Sequence, residues 1–175
     1  MKREKILLTD YLNSIFPTWE KEVPTFMDYI EEINLEIDEP LPGQRGDIYF
    51  VSNGAIAKYH KKIPKRYITP GELIMIKFDS KPLFFRALED SCILLIQRHD
   101  LYQLADNYPV TIQLYDQLLA KQEQAADFRE MVLEMPKLKR LEMFRSKFSR
   151  IIPLISRTEL ATYLGVSREY LRRLF

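Results

Sequence analysis

Apolar positions along the chain change their spacing twice, and the changes divide it into three stretches. Over residues 4–16, Ile6, Leu7, Tyr11, Leu12 and Ile15 recur at helical intervals until Pro17, which cannot continue a helix. A second helix is expected from about Pro24 through Phe26, Met27 and Ile30, with proline in its first turn. Near Ile33 the period becomes two. Ile33, Leu35 and Ile37 alternate with Asn34, Glu36 and Asp38, as in a half-buried strand. Over residues 40–97, short apolar runs are separated by turn residues. IYFV (48–51) and AIAKYH (55–60) flank Ser52-Asn53-Gly54, and Asn-Gly between two such runs predicts a hairpin. Residues 61–65, with Pro64, make another connection and residues 66–68 a short strand. Thr69-Pro70-Gly71 then turns the chain into LIMIKF (73–78), and LFFRAL and CILLIQ complete the set. Many short strands at close spacing predict a β-sandwich, jelly roll or barrel rather than a βαβ fold.

The helical period returns at His99, through Leu101 and Leu104, and a long helix is expected over residues 109–134. On it Leu114, Leu118, Lys121, Ala125, Phe128 and Val132 are spaced 4, 3, 4, 3 and 4, a heptad-like stripe. Such a stripe favours a dimerisation seam, although packing against the strand-rich half explains the same spacing. Pro136 ends the helix, and residues 137–150 form a basic amphipathic helix carrying Leu138, Leu141, Phe144 and Phe148. The last twenty residues, SRTELATYLGVSREYLRRLF, are two short helices around Leu164-Gly165-Val166, a turn built on the residue that readily takes positive φ. Leu160, Ala161 and Leu164 share one face of the first. In the second, Val166, Tyr170, Leu171 and Leu174 can pack inward, which leaves Arg168, Glu169, Arg172 and Arg173 outside. Ser156 or Thr158 suits the first N-cap and Ser167 the second. This is the pattern of a helix-turn-helix that reads DNA.

Charge strengthens that expectation. Residues 137–175 hold ten Lys/Arg and three acids, whereas the other 136 residues hold 16 and 22. A mildly acidic body with a basic tail is the footprint of a nucleic-acid-binding appendage. Other classes recede. No apolar run approaches the ~18 residues of a membrane span, and the charged N-terminus MKREKILLTDYL lacks the apolar core of a signal peptide. The single cysteine, Cys92, excludes an internal disulfide, a zinc ribbon and a protein-held iron–sulfur cluster, and suits a reducing cytoplasm. The sequence has no phosphate-binding G-x-x-x-x-G-K-[ST], no G-x-G-x-x-G and no G-x-S-x-G, and its two histidines are too few for a metal-binding jelly-roll enzyme. No enzyme is expected.

The order of elements, with IYFVSNGAIAKY, TPGEL, ALEDSCILLIQRHDLYQL and TELATYLGVSREYLRRL, resembles the cyclic-AMP receptor protein and fumarate–nitrate regulator (CRP/FNR) family over roughly residues 30–175. The resemblance implies an α+β chain. Its parts are a jelly-roll effector domain of the cyclic-nucleotide-binding kind with N-terminal helices (1–108), a connecting and dimerisation helix (109–135), and a helix-turn-helix (136–175). It implies a homodimer on double-stranded DNA, with RNA polymerase as a further partner. The family's Ser-Arg-Glu-x-x-x-Arg pattern falls on Ser167, Arg168, Glu169 and Arg173. Arg donates bidentately to guanine and Glu accepts from cytosine, so a G·C-containing half-site is implied. Arg172, Lys147 and the helix start at Ser156, Arg157 and Thr158 are phosphate-contact candidates.

Two departures qualify the resemblance. The family continues into a wing, whereas this sequence ends at Phe175, so wing contacts are not expected. The residues placed around the family's effector pocket are Gly71, Glu72, Met75, Ile76, Lys81 and Arg86, and Met75-Ile76 stand where cyclic-nucleotide binders carry Gly-Glu. The register leaves either Lys81 or Arg86 at the phosphate-binding arginine. The missing carboxylate and glycine argue against a cyclic nucleotide and leave another small effector, or none. The rival reading is a ligand-sensing or protein-interaction module whose terminal helical hairpin merely packs.

Overall fold

The structure, a computed structural model, describes residues 3–76 and 84–174. It opens with α1 (Arg3–Ile15), α2 (Trp19–Glu22) and a 3-10 turn over Phe26–Tyr29. The helix expected from Pro24 is thus only this turn. On α1, Leu8 and Leu12 face the core, while Ile6 is 43% exposed. Among the described residues seven strands follow: β1 (Glu31–Leu35), β2 (Ile48–Asn53), β3 (Ile56–His60), β4 (Ile63–Ile68), β5 (Leu73–Met75), β6 (Phe84–Ala87) and β7 (Ser91–Ile96). They form two antiparallel sheets, β1-β7-β2-β5 and β4-β3-β6. Ile37, placed on the first strand by its alternation, lies beyond β1 and is exposed.

The Asn-Gly signal does not make a hairpin. β2 pairs with β5 and β7, whereas β3 pairs with β4 and β6, so Ser52-Asn53-Gly54 carries the chain from one sheet to the other. Asn-Gly favours positive φ, here 87° at Gly54, but segments far along the chain decide which strands pair. A Cβ at Gly54 would lie 2.1 Å from Ser91 Oγ, so the crossing needs glycine for closeness as well as for φ. The true hairpin joins β3 to β4 through Lys61 and Lys62, both at positive φ. Pro64 lies inside edge strand β4, opposite Tyr59 and beside a register shift, where a missing N–H is tolerated.

The inner faces of the sheets meet over an apolar core of Leu35, Tyr49, Val51, Ile56, Ile68, Ile74, Phe85, Ala87, Ile93 and Leu95. The outer face of the first sheet is covered by α1, α3 (Arg98–Asn107) and α4 (Thr111–Ala126). The buried carboxylate of Asp47 ties roll to helix: it accepts from the backbone N–H of Arg98 at 2.9 Å, at the positive end of α3. The outer face of the second sheet is covered by α5 (Phe128–Glu134), α6 (Lys137–Phe148) and α7 (Arg157–Leu164), before the short α8 (Arg168–Arg172).

The single helix expected over residues 109–134 is broken. At Asp127 the backbone tightens to φ −75°, ψ −13°, between α4 and α5. Leu114 and Leu118 pack on the first sheet, whereas Phe128 and Val132 pack in the cluster on the second. One straight helix cannot serve both sheets.

Candidate nucleic-acid interface

The C-terminal hairpin is built from local chemistry. Ser156 Oγ accepts from the Glu159 N–H at 3.1 Å and starts α7. Gly165, at φ 63° and ψ 39°, ends it: Val166 N–H donates to the Ala161 carbonyl and Gly165 N–H to that of Thr162, the two bonds of a Schellman motif. Ser167 Oγ then accepts from the Tyr170 N–H at 3.1 Å and starts α8. Leu160, Ala161, Tyr163, Leu164 and Leu171 are buried. Arg140 holds the hairpin to the preceding helices: its guanidinium donates to the carbonyls of Leu133 (2.8 Å), Met135 (2.9 Å) and Leu164 (2.9 Å). With the Gly165 carbonyl at 3.3 Å, four backbone carbonyls at two helix ends converge on one side chain.

The structure places Ser167, Arg168, Glu169, Arg172 and Arg173 exposed on or beside α8, with Ser156, Arg157 and Thr158 exposed at the start of α7. Both serine hydroxyls are engaged as caps. The basic tail is less available than its charge suggests. Arg140 serves backbone carbonyls, Arg150 Nη2 pairs with Glu89 at 3.1 Å, and Lys147 Nζ pairs with Glu72 at 3.4 Å and lies over Phe128. Lys147, expected at a phosphate, faces the β-roll instead.

The hairpin sits directly on the roll. Tyr67 of β4 lies 4.9–6.1 Å, centroid to centroid, from the rings of Phe144, Phe148 and Tyr163. Into this seam reaches Glu159, whose Oε1 accepts from Tyr59 Oη at 2.5 Å and from Tyr67 Oη at 3.3 Å. Arg86 donates to Tyr59 Oη at 3.0 Å and pairs with Asp38 at 2.7 Å. Burial, then the bond to Glu159, pushes the Tyr59 hydroxyl up to about 12, with Arg86 opposing; burial drives Tyr67 and Tyr163 upward as well. Sequence reading missed Tyr59, Tyr67 and Glu159. The available signal was the unbroken run Ala55-Ile56-Ala57, since a strand with both faces buried reads apolar at every position.

The stripe assigned to a dimer seam is used mostly inside the chain. Leu114, Leu118 and Val132 are buried against its own body, Ala125 and Phe128 are half-buried, and Lys121 is exposed. The packing alternative weighed for that spacing accounts for the buried members. The effector-pocket residues are not gathered either. Glu72 pairs with Arg66 and Lys147, Met75 is buried in β5, and half-buried Ile76 packs against the core between the sheets. Nothing crowds Gly71, while Arg86 lies across the seam beside Tyr59; Lys81 falls outside the described residues. Among the described residues no group of three His, Cys, Asp or Glu side chains could hold a metal ion, and no helix is long and apolar enough to cross a membrane.

No protein-family model matches the chain, and neither does any curated protein sequence. Solved structures do match. FixK2 from Bradyrhizobium japonicum superposes with a TM-score of 0.66 at 20% identity, over 83% of this chain and 82% of that one. A protein assigned to the CRP/FNR family of transcriptional regulators from Eubacterium rectale gives 0.68 at 14% identity, over 92% and 85%. The c-di-GMP-responsive global regulator CLP of Xanthomonas campestris gives 0.62 at 16% identity, over 88% of each chain. The fold is that of the CRP/FNR regulators. In this chain the β-roll comes first, α4 follows it, and the helical hairpin of α7 and α8 comes after them.

Proposed function

We propose that the protein is a CRP/FNR-type transcription regulator, working in the cytoplasm as a homodimer without catalytic chemistry of its own, that reads duplex DNA with α8. One observation carries this reading. Arg168, Glu169, Arg172 and Arg173 stand exposed together at i, i+1, i+4 and i+5, while Leu171 anchors the helix in the core behind them. Arg168 and Glu169, directly after the Ser167 cap, occupy the end of the helix that enters a major groove first. The dimer would use the outward face of α4, where Ile112 is 57% exposed, since the inward stripe is occupied. The filled space between the sheets and the engagement of Glu72 support an effector other than a cyclic nucleotide.

The test is binding of the purified chain to a random duplex pool at several salt concentrations, with selection of retained fragments. The logarithm of affinity should fall with the logarithm of salt by roughly 0.9 per phosphate contact. Arg168→Ala should lose about 1–3 kcal/mol of sequence discrimination with less effect on random DNA. No retention at about 50 mM salt by folded protein would sink DNA reading.

A further inference from the structure

A groove of about 410 Å³ runs between β3, β4 and the α4–α5 break. Lys58, Lys65, Arg66 and Arg129 line it with His60, and among the described residues Glu130 is its one carboxylate. Two buried atoms distinguish it from a solvated basic face. The Arg66 side chain is only 10% exposed, yet its Nη2 reaches Glu72 at a long 3.4 Å and its Nε is buried without an acceptor among the described residues. Arg129 repeats the pattern from the helical wall. Its Nη2 donates to the Thr162 carbonyl at 3.4 Å, its guanidinium lies over the Tyr163 ring, and its Nε is also buried without an acceptor. Glu72 reaches neither Nε: its Oε2 meets Arg66 Nη2 and its Oε1 faces Lys147. Buried donors on charged groups are expensive to leave unmatched, and two such N–H groups on arginines that line one mainly cationic groove call for an anion.

We propose that this groove binds a small organic anion whose carboxylate or phosphate oxygens accept from Nε of Arg66 and of Arg129. Lys58 and Lys65 raise the local anion concentration, and the volume suits a small metabolite. Because Arg129 also holds Thr162 and Tyr163 of α7, an anion drawing on Arg129 is felt at the first helix of the helix-turn-helix. The inference deepens the regulator reading, but its assay contains no DNA, so either can fail without the other.

The full-length chain is titrated with succinate and, separately, with inorganic phosphate, at constant ionic strength set by chloride, following melting temperature and heat of binding. Saturable stabilisation by one of them is expected, and which one distinguishes a carboxylate effector from a phosphate. Arg129→Gln should weaken that binding at least tenfold, and Arg66→Gln likewise. Should the buried Arg66 variant fail to fold, Lys65→Gln, expected to lose two- to threefold, takes its place. Arg150→Gln, whose ion pair with Glu89 lies outside the groove, should leave binding unchanged. The proposal is overturned if neither oxyanion stabilises the protein beyond chloride, or if Arg129→Gln binds as the unaltered chain does. It is equally overturned if Arg150→Gln weakens binding as much as Arg129→Gln.

Discussion

Strands β3 and β4 bury both faces, but the two faces are held by different chemistry. Towards the other sheet, Ile56 and Ile68 meet Val51, Ile74 and Ile93, and the contacts are apolar dispersion and desolvation alone. Towards the helices, Tyr67 presents its ring to Phe144, Phe148 and Tyr163, and both Tyr59 and Tyr67 turn their hydroxyls to Glu159. The first face closes the roll unconditionally. The second depends on a tyrosine hydroxyl and on a carboxylate 100 residues further along the chain. A helix-turn-helix docked this way is attached by a surface that holds titratable hydrogen bonds as well as apolar contacts.

The largest effect should come from Phe144→Ala. Phe144 is 0% exposed, and its loss should cost about 3–5 kcal/mol in denaturant unfolding. Since its cluster joins roll and hairpin, the chain should still unfold in one transition. A separate early transition would show that the seam contributes little to the roll. Ile68→Ala, on the other face of β4, should cost about 2–5 kcal/mol and leave the DNA affinity proposed for the folded chain unchanged. Next comes alkali. The Tyr59 hydroxyl is pushed from 10.0 to about 12 in the fold, so the stability it contributes is complete below about pH 10 and lost as pH rises through about 12. Difference absorbance should show tyrosine ionisation accompanying the loss of tertiary circular dichroism; free titration near pH 10 with structure intact would break the distinction between the faces. The smallest effect is Tyr59→Phe, which keeps the ring and deletes the bond to Glu159, at about 0.5–1.5 kcal/mol. It should remove part of the alkaline sensitivity, whereas Ile68→Ala should remove none.

The parts of this molecule legible in the sequence are those decided locally. Ser156 and Ser167 cap helices because a hydroxyl reaches an N–H three residues on, and Gly165 ends α7 because it takes positive φ without strain. The outward side chains of α8 follow from the inward ones by helical period. Long-range choices were not legible. Nothing near Gly54 says that β2 will pair with β5 and β7 rather than with β3. The stripe from Leu114 to Val132 is the same whether two helices face two sheets or one helix faces a partner, and only the break at Asp127 separates these cases. The basic tail was countable from sequence, but its division into cations that hold the fold and cations that face outward required knowing where Glu72, Glu89 and the helix ends lie.

Arg140 ties the ends of α5 and α7 through carbonyl oxygens alone, and its preference is therefore for chain length rather than side-chain identity. Leu133, Met135 and Leu164 could exchange for other residues of similar volume while the clamp persisted. Adding one residue within α5 would instead turn its terminal carbonyls by about 100° around the helix and move them off the guanidinium. This joint should tolerate drift in composition and resist insertion or deletion, a constraint on how the hairpin can be re-spaced relative to the roll.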